Sequence, residues 1–142
     1  MIGRKMILKD TDLKKTNLNK MRLNHSIFIR CDFESSTLEG AHFNGAKVPR
    51  CNFNNCKMRD TLFIGADISG SNLTNADLRN ANFNKAFLIG ANLTGANLTG
   101  AILIDCNLDG ADLRGADLRG ARLEGAYFGG ADLSGADFDK HL

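Results

Sequence analysis

From residue 8 to residue 138 every fifth residue is large and apolar, 27 in succession without a shift of register. The series starts at Leu8, Leu13 and Leu18, passes through Phe53, Met58, Phe63, Leu93 and Leu98, and closes on Leu133 and Phe138. Two residues before each centre stands a second selective position. It holds Ala fifteen times, mostly after residue 66, and otherwise Ser, Thr or Cys, with Met6 and Met21 near the start. The residue just before the centre is usually Asp or Asn, and thirteen of the fifteen glycines fall two after it.

This period excludes the two regular structures. A helix turns about 100° per residue, so centres five apart would step by about 140° and smear over every face. A strand alternates faces with period two, so successive centres would point to opposite sides. Either structure would leave half the Leu and Phe in water. A chain that turns a corner every five residues keeps every centre inside. Glycine two after the centre suits such a corner, because it adopts positive φ without strain.

The motif A(D/N)LXG, as in "ADLRG", "ANLTG" and "ADLSG", resembles the pentapeptide-repeat family over residues 6–140. The resemblance implies an all-β fold, a right-handed quadrilateral β-helix in which four pentapeptides make one 20-residue coil. The 27 units then give just under seven coils and a rod about 32 Å long at about 4.8 Å per coil. The chain reads as one domain, 1–142, with repeats over 6–140, a cap at 1–5 and a tail at 141–142. The N-terminal third departs from the motif, with Met21, Cys31 and Cys51 where Ala is usual and Pro49 in "AKVPR". Looser packing is expected there.

All four cysteines, Cys31, Cys51, Cys56 and Cys106, occupy the Ala-type position and read as small interior hydrophobes. Cys31 and Cys51 are one coil apart, within Cα range of a disulfide, but both would point inward side by side, and thiols are expected. A zinc site from Cys31, Cys51 and Cys56 would lack CxxC spacing and an inward His. His25 and His42 fall at outward positions and His141 in the tail, none within a motif. The glycines of "GANLTGANLTG" follow the repeat, not a phosphate loop. Asp112, Asp117, Asp132 and Asp137 read as outward groups serving the turn backbone. No nucleophile–base–acid set is visible. The expectation is a protein without catalytic residues, metal, cofactor or small-molecule substrate.

No apolar run reaches membrane-spanning length, and the start of the chain lacks a signal-peptide pattern, so no membrane association and a cytoplasmic location are expected. Charge is uneven. Residues 1–60 carry 12 Lys+Arg against 6 Asp+Glu, and residues 61–142 carry 6 against 10. One end is basic and the other acidic.

A filled rod acts through its outside, and positions 20 apart share a face. Two faces carry polar residues almost throughout at the positions flanking each centre. A third carries Leu62, Ile64, Ile102 and Ile104, and the next carries Ile27, Ile29, Phe87, Ile89 and Tyr127. These two share an edge, along which the apolar residues zigzag. Such a patch marks an interaction site. The expected function is therefore a binding or scaffold protein acting on protein partners through rod faces, and a homodimer.

The resemblance supplies the alternative, a DNA mimic that binds a type II topoisomerase such as DNA gyrase and protects it from quinolones. The net basic chain, the uninterrupted repeat and the short segment after Phe138 weigh against it. Direct nucleic-acid binding is disfavoured by the lack of aromatics among the basic residues. At the rod ends, Met1, Ile2, Met6 and Ile7 are expected to cover the first coil, with Arg4, Lys5 and Lys9 discouraging stacking. Phe128, Leu133 and Phe138 are expected to meet a second copy end to end, with Asp137, Asp139 and Lys140 as rim charges. That contact competes with the apolar edge as the dimer surface.

Overall fold

Why a corner recurs every five residues is visible in the backbone of the computed structural model, which describes residues 5–139. Every residue two after a centre, from Asp10 to Gly135, has positive φ, between 51° and 75°. Half of these 26 corners are glycine, which takes this conformation freely. The rest include Lys15, Lys20, Arg30, Arg50 and Lys85, side chains that rarely enter the left-handed region. The corner is thus imposed by the stacked fold as much as chosen by the residue.

The coils stack in parallel with a register of 20. Strand β1 (Ile7–Lys9) pairs with β2 (Ile27–Ile29), Leu8 opposite Phe28. Above them single bridges continue four ladders, for example His42–Leu62–Asn82–Ile102 and Asp67–Phe87–Asn107–Tyr127. Four ladders per 20 residues make a four-sided rod.

The unit centred on Leu73 shows how the backbone is satisfied. The Asn72 N–H donates to the Cys51 carbonyl below at 2.9 Å. The Leu73 and Asn75 N–H groups donate to Asn92 and Thr94 above at 2.7 and 3.0 Å, and the Ala76 N–H closes the turn on the Leu73 carbonyl at 3.1 Å. The N–H one after the centre takes no part in this ladder. Pro49 stands at that position, where a residue without an N–H leaves the ladder intact.

Centres and Ala-type residues fill the interior. Every centre from Leu23 to Leu118 is at most 2% exposed. Met21, where Ala is usual, is 41% exposed, but from Leu23 onward the N-terminal third is as dry as the rest. Phenylalanine supplies the volume there: Phe33 stacks on Phe53 with centroids 4.7 Å apart, and Phe28 meets Phe33 edge-on at 5.5 Å. Leu8, Leu13 and Leu18, and Leu123, Phe128, Leu133 and Phe138, are half-buried, since among the described residues a coil packs on only one side of them. Met6 and Ile7 do not cover the first coil. They belong to it and stand 37% and 67% exposed, Ile7 because β1 lies in the ladder with its odd residues outward, and Met6 because no described coil lies beneath it. Met1, Ile2, Arg4, Lys140 and His141 lie outside the described residues.

Candidate interaction face

The position before each centre has a job in this fold. Its Asp or Asn side chain caps the N–H that the ladder leaves out. Asp32 accepts from Glu34, Asn72 from Thr74, Asn97 from Thr99 and Asp132 from Ser134, each at 3.0 Å. Asp112 and Asp117 do the same for Arg114 and Arg119 at 3.1 Å, as the sequence reading held. A side chain from the coil below can substitute: Asn44 caps Ile64 at 2.9 Å and Asp109 caps Gly129 at 2.7 Å.

Leu62, Phe87, Ile102 and Tyr127 occupy this capping position and cannot cap. Phe87 and Tyr127 are 46% and 61% exposed, and Ile89, one after its centre, is 43% exposed. Ile64 is also exposed, whereas Leu62, Ile102 and Ile104 are half-buried. These residues serve neither the core nor the turn, and exposing them gains the fold nothing.

The ladders bring the residues together as two adjacent columns, though not as an unbroken stripe. Asn82 separates Leu62 from Ile102, and Asn107 separates Phe87 from Tyr127. Within the second face, Ile27 and Ile29 are half-buried in β2. Charges share this face. Lys47 and Arg50 are exposed in its lower rows, and Asp105 and Asp109 stand in its upper rows. Sequence reasoning assigned these charges to the rod ends in bulk, although the period of 20 places them here. Phe128, Leu133 and Phe138 pack on the last core layers and are not part of either column.

The two remaining faces are polar, and part of their charge is paired within single units. Arg79, Arg114 and Arg119 each fold back on the aspartate two residues earlier, at 2.6–2.7 Å. The Arg114 guanidinium, helped by the Arg114 N–H, holds the Asp112 carboxyl at about 2. Arg79 and Arg119 lower Asp77 and Asp117 in the same way. The cysteines are free and buried. Burial pushes the thiols of Cys51, Cys56 and Cys106 up to about 12, so they stay protonated. Among the described residues no helix is long and apolar enough to cross a membrane.

The family model for pentapeptide repeats (8 copies) matches residues 7–45, 38–75, 71–110 and 101–139. This chain is a pentapeptide-repeat protein. The right-handed quadrilateral β-helix expected of the family is its fold. Among solved pentapeptide-repeat proteins it is similar to HetL of the cyanobacterium Nostoc sp. strain PCC 7120, which is involved in heterocyst differentiation regulation. The identity is 30%, the TM-score 0.61, and the match covers 96% of this chain and 65% of HetL, so the chain spans a little under two thirds of that protein. It also resembles a pentapeptide-repeat protein of the Arabidopsis thaliana thylakoid lumen, at 29% identity and TM-score 0.55, over 82% of this chain and 67% of that one. Rfr23 of the cyanobacterium Cyanothece 51142 matches at 27% identity and TM-score 0.51, over 73% and 88%. Comparison with curated proteins returns no match.

Proposed function

We propose that this pentapeptide-repeat protein is a non-enzymatic binding module that engages protein through the two adjacent faces carrying Leu62, Ile64, Phe87, Ile89, Ile102, Ile104 and Tyr127. The observation that carries the reading is the capping position. The fold usually places Asp or Asn there, and these faces carry exposed Phe and Tyr instead, the Gly129 N–H beside Tyr127 being capped by Asp109 of the coil below. Aromatic residues with partly buried neighbours and a polar surround are the composition of an interface core. The polar faces support a protein partner over polyanion mimicry, since Asp77, Asp112 and Asp117 are each neutralised by an arginine of the same unit.

The test is a photo-crosslinking amino acid placed at Phe87 and, as a control, at Asn72 on a polar face, followed by irradiation in the native host. Specific adducts from position 87 and none from 72 are expected. Equal adducts from both positions, or none from 87, would remove the reading.

A further inference from the structure

The charges on the Phe87 face are ordered along the rod, and the order has a consequence for which partner fits. Each coil contributes one row to this face, running from the corner shared with the Leu62 face to the far corner. The row through Lys47 is basic, with Arg50 at its far corner. The row through Asn107 is acidic, with Asp105 and Asp109 on either side. The row through Asp67 begins at Ile64, and the row through Phe87 carries Lys85.

Resting on the face reading above, we propose that its occupant is a second copy of this chain, laid antiparallel about a two-fold axis that crosses the face midway between Asp67 and Phe87. A two-fold interface must be self-complementary, each row meeting the row equally far beyond the axis. Height along this rod follows residue number, because every coil takes 20 residues. The axis therefore sets the Ile27 row against the partner's Tyr127 row, with Ile27 and Ile29 facing Tyr127 and Arg30 at the far corner paired with Asp10 of its own chain. It sets the Lys47–Arg50 row against the Asp105–Asp109 row, two cations on two anions. At the centre, the Asp67 row meets the Phe87 row, bringing Asp67 towards Lys85 and Ile64 towards Phe87.

The parallel arrangement fails the same test, since it stacks Lys47 on Lys47 and Asp67 on Asp67. The charge of the whole chain acts in the same sense. The halves carry +6 and −4, from 12 against 6 and 6 against 10 charged residues, and only antiparallel rods bring unlike halves together. Opposed patches of this kind steer association and exclude the wrong register.

Sedimentation velocity over a concentration series, at low and high salt, tests the proposal on the full chain. The wild type is expected to dimerise, more weakly at high salt. Lys47→Asp with Arg50→Asp should raise the dimer Kd by roughly tenfold or more, because like charges then oppose. Adding Asp105→Lys and Asp109→Lys to that variant should restore association, a result that no damage to the fold produces. Cooperative melting curves confirm that folding is intact, with a small drop in midpoint expected for Asp109→Lys, which gives up the cap on the Gly129 N–H. A wild type monomeric throughout, a dimer indifferent to the first pair, or a quadruple variant that stays monomeric would each overturn the proposal. The two readings separate cleanly. A monomeric wild type whose position 87 crosslinks another protein overturns the dimer and leaves the face reading, and a monomer without adducts overturns both.

Discussion

Phe63 lies flat against Phe83, one coil along the rod, with ring centroids 5.1 Å apart and planes within 4°. Phe43 stacks below Phe63 at the same separation and 15°. These rings fill the interior of one side over three coils, all fully buried. Phe63→Ala removes the middle ring and opens a cavity that a rigid rod cannot collapse, so a loss of about 3–5 kcal/mol in urea unfolding is expected. Phe63→Leu keeps most of the volume and loses the stacking, about 0.5–1.5 kcal/mol of it. Equal effects of the two variants would show that volume is not what this column supplies.

The centres and the inward small residues were legible because a period of five excludes helix and strand and keeps the centres inside only with a corner in every unit; the four-sided coil came from the family resemblance, and every centre from Leu23 to Leu118 is buried. The exposed aromatics were legible for the same reason, since Phe87 and Tyr127 break the Asp/Asn rule of their position. The period does not state which atoms bond across coils. Cys51 and Ser71 read as stand-ins for alanine, yet both bond the backbone of a neighbouring coil. Nor does it show end effects: Met6 and Ile7 looked like a cover by composition, but the ladder register turns Ile7 outward.

Ser71 provides a test of that hidden bonding. Its hydroxyl accepts from the Cys51 N–H at 3.0 Å and donates to the Val48 carbonyl at 2.7 Å, bridging two groups that meet directly in alanine units, as Ala96 and Leu93 do at 3.0 Å. Ser71→Ala lets the turn close in the alanine manner and is expected to cost less than about 1 kcal/mol. Ser71→Val holds the turn open and leaves a buried donor and acceptor unpaired, about 1–3 kcal/mol for each. Denaturant midpoints that rank alanine below valine would contradict the bridge.

The cysteines report on opening of the rod. Burial raises the thiols of Cys51, Cys56 and Cys106 to about 12, so at pH 8 they are protonated as well as shielded. Reaction with a soluble disulfide reagent is expected to be negligible in the native protein and fast in guanidinium, where thiols return to about 8.5. Native labelling should run at the rate of coil opening, and faster than that for none of the three. Immediate labelling of Cys106 in native buffer would contradict its placement.

The acid limb of stability follows from the aspartate–arginine pairs. Asp112 is held at about 2 by the Arg114 guanidinium and N–H, and Asp77 and Asp117 are lowered by Arg79 and Arg119. An unfolded aspartate titrates near 3.9. A carboxyl lowered on folding contributes stability that is present in full above its unfolded value and disappears as pH falls through its folded value. These pairs are exposed and screened, so each contribution is small, but all act over the same window. The melting temperature is therefore expected to be level down to about pH 5 and to fall between about pH 4 and pH 2. Arg114→Gln with Arg119→Gln raises Asp112 and Asp117 towards their unfolded values and should flatten that fall by lowering the plateau by the same small amount. High salt should flatten it in the wild type as well. An acid limb that the double variant leaves unchanged would place the protons on other groups.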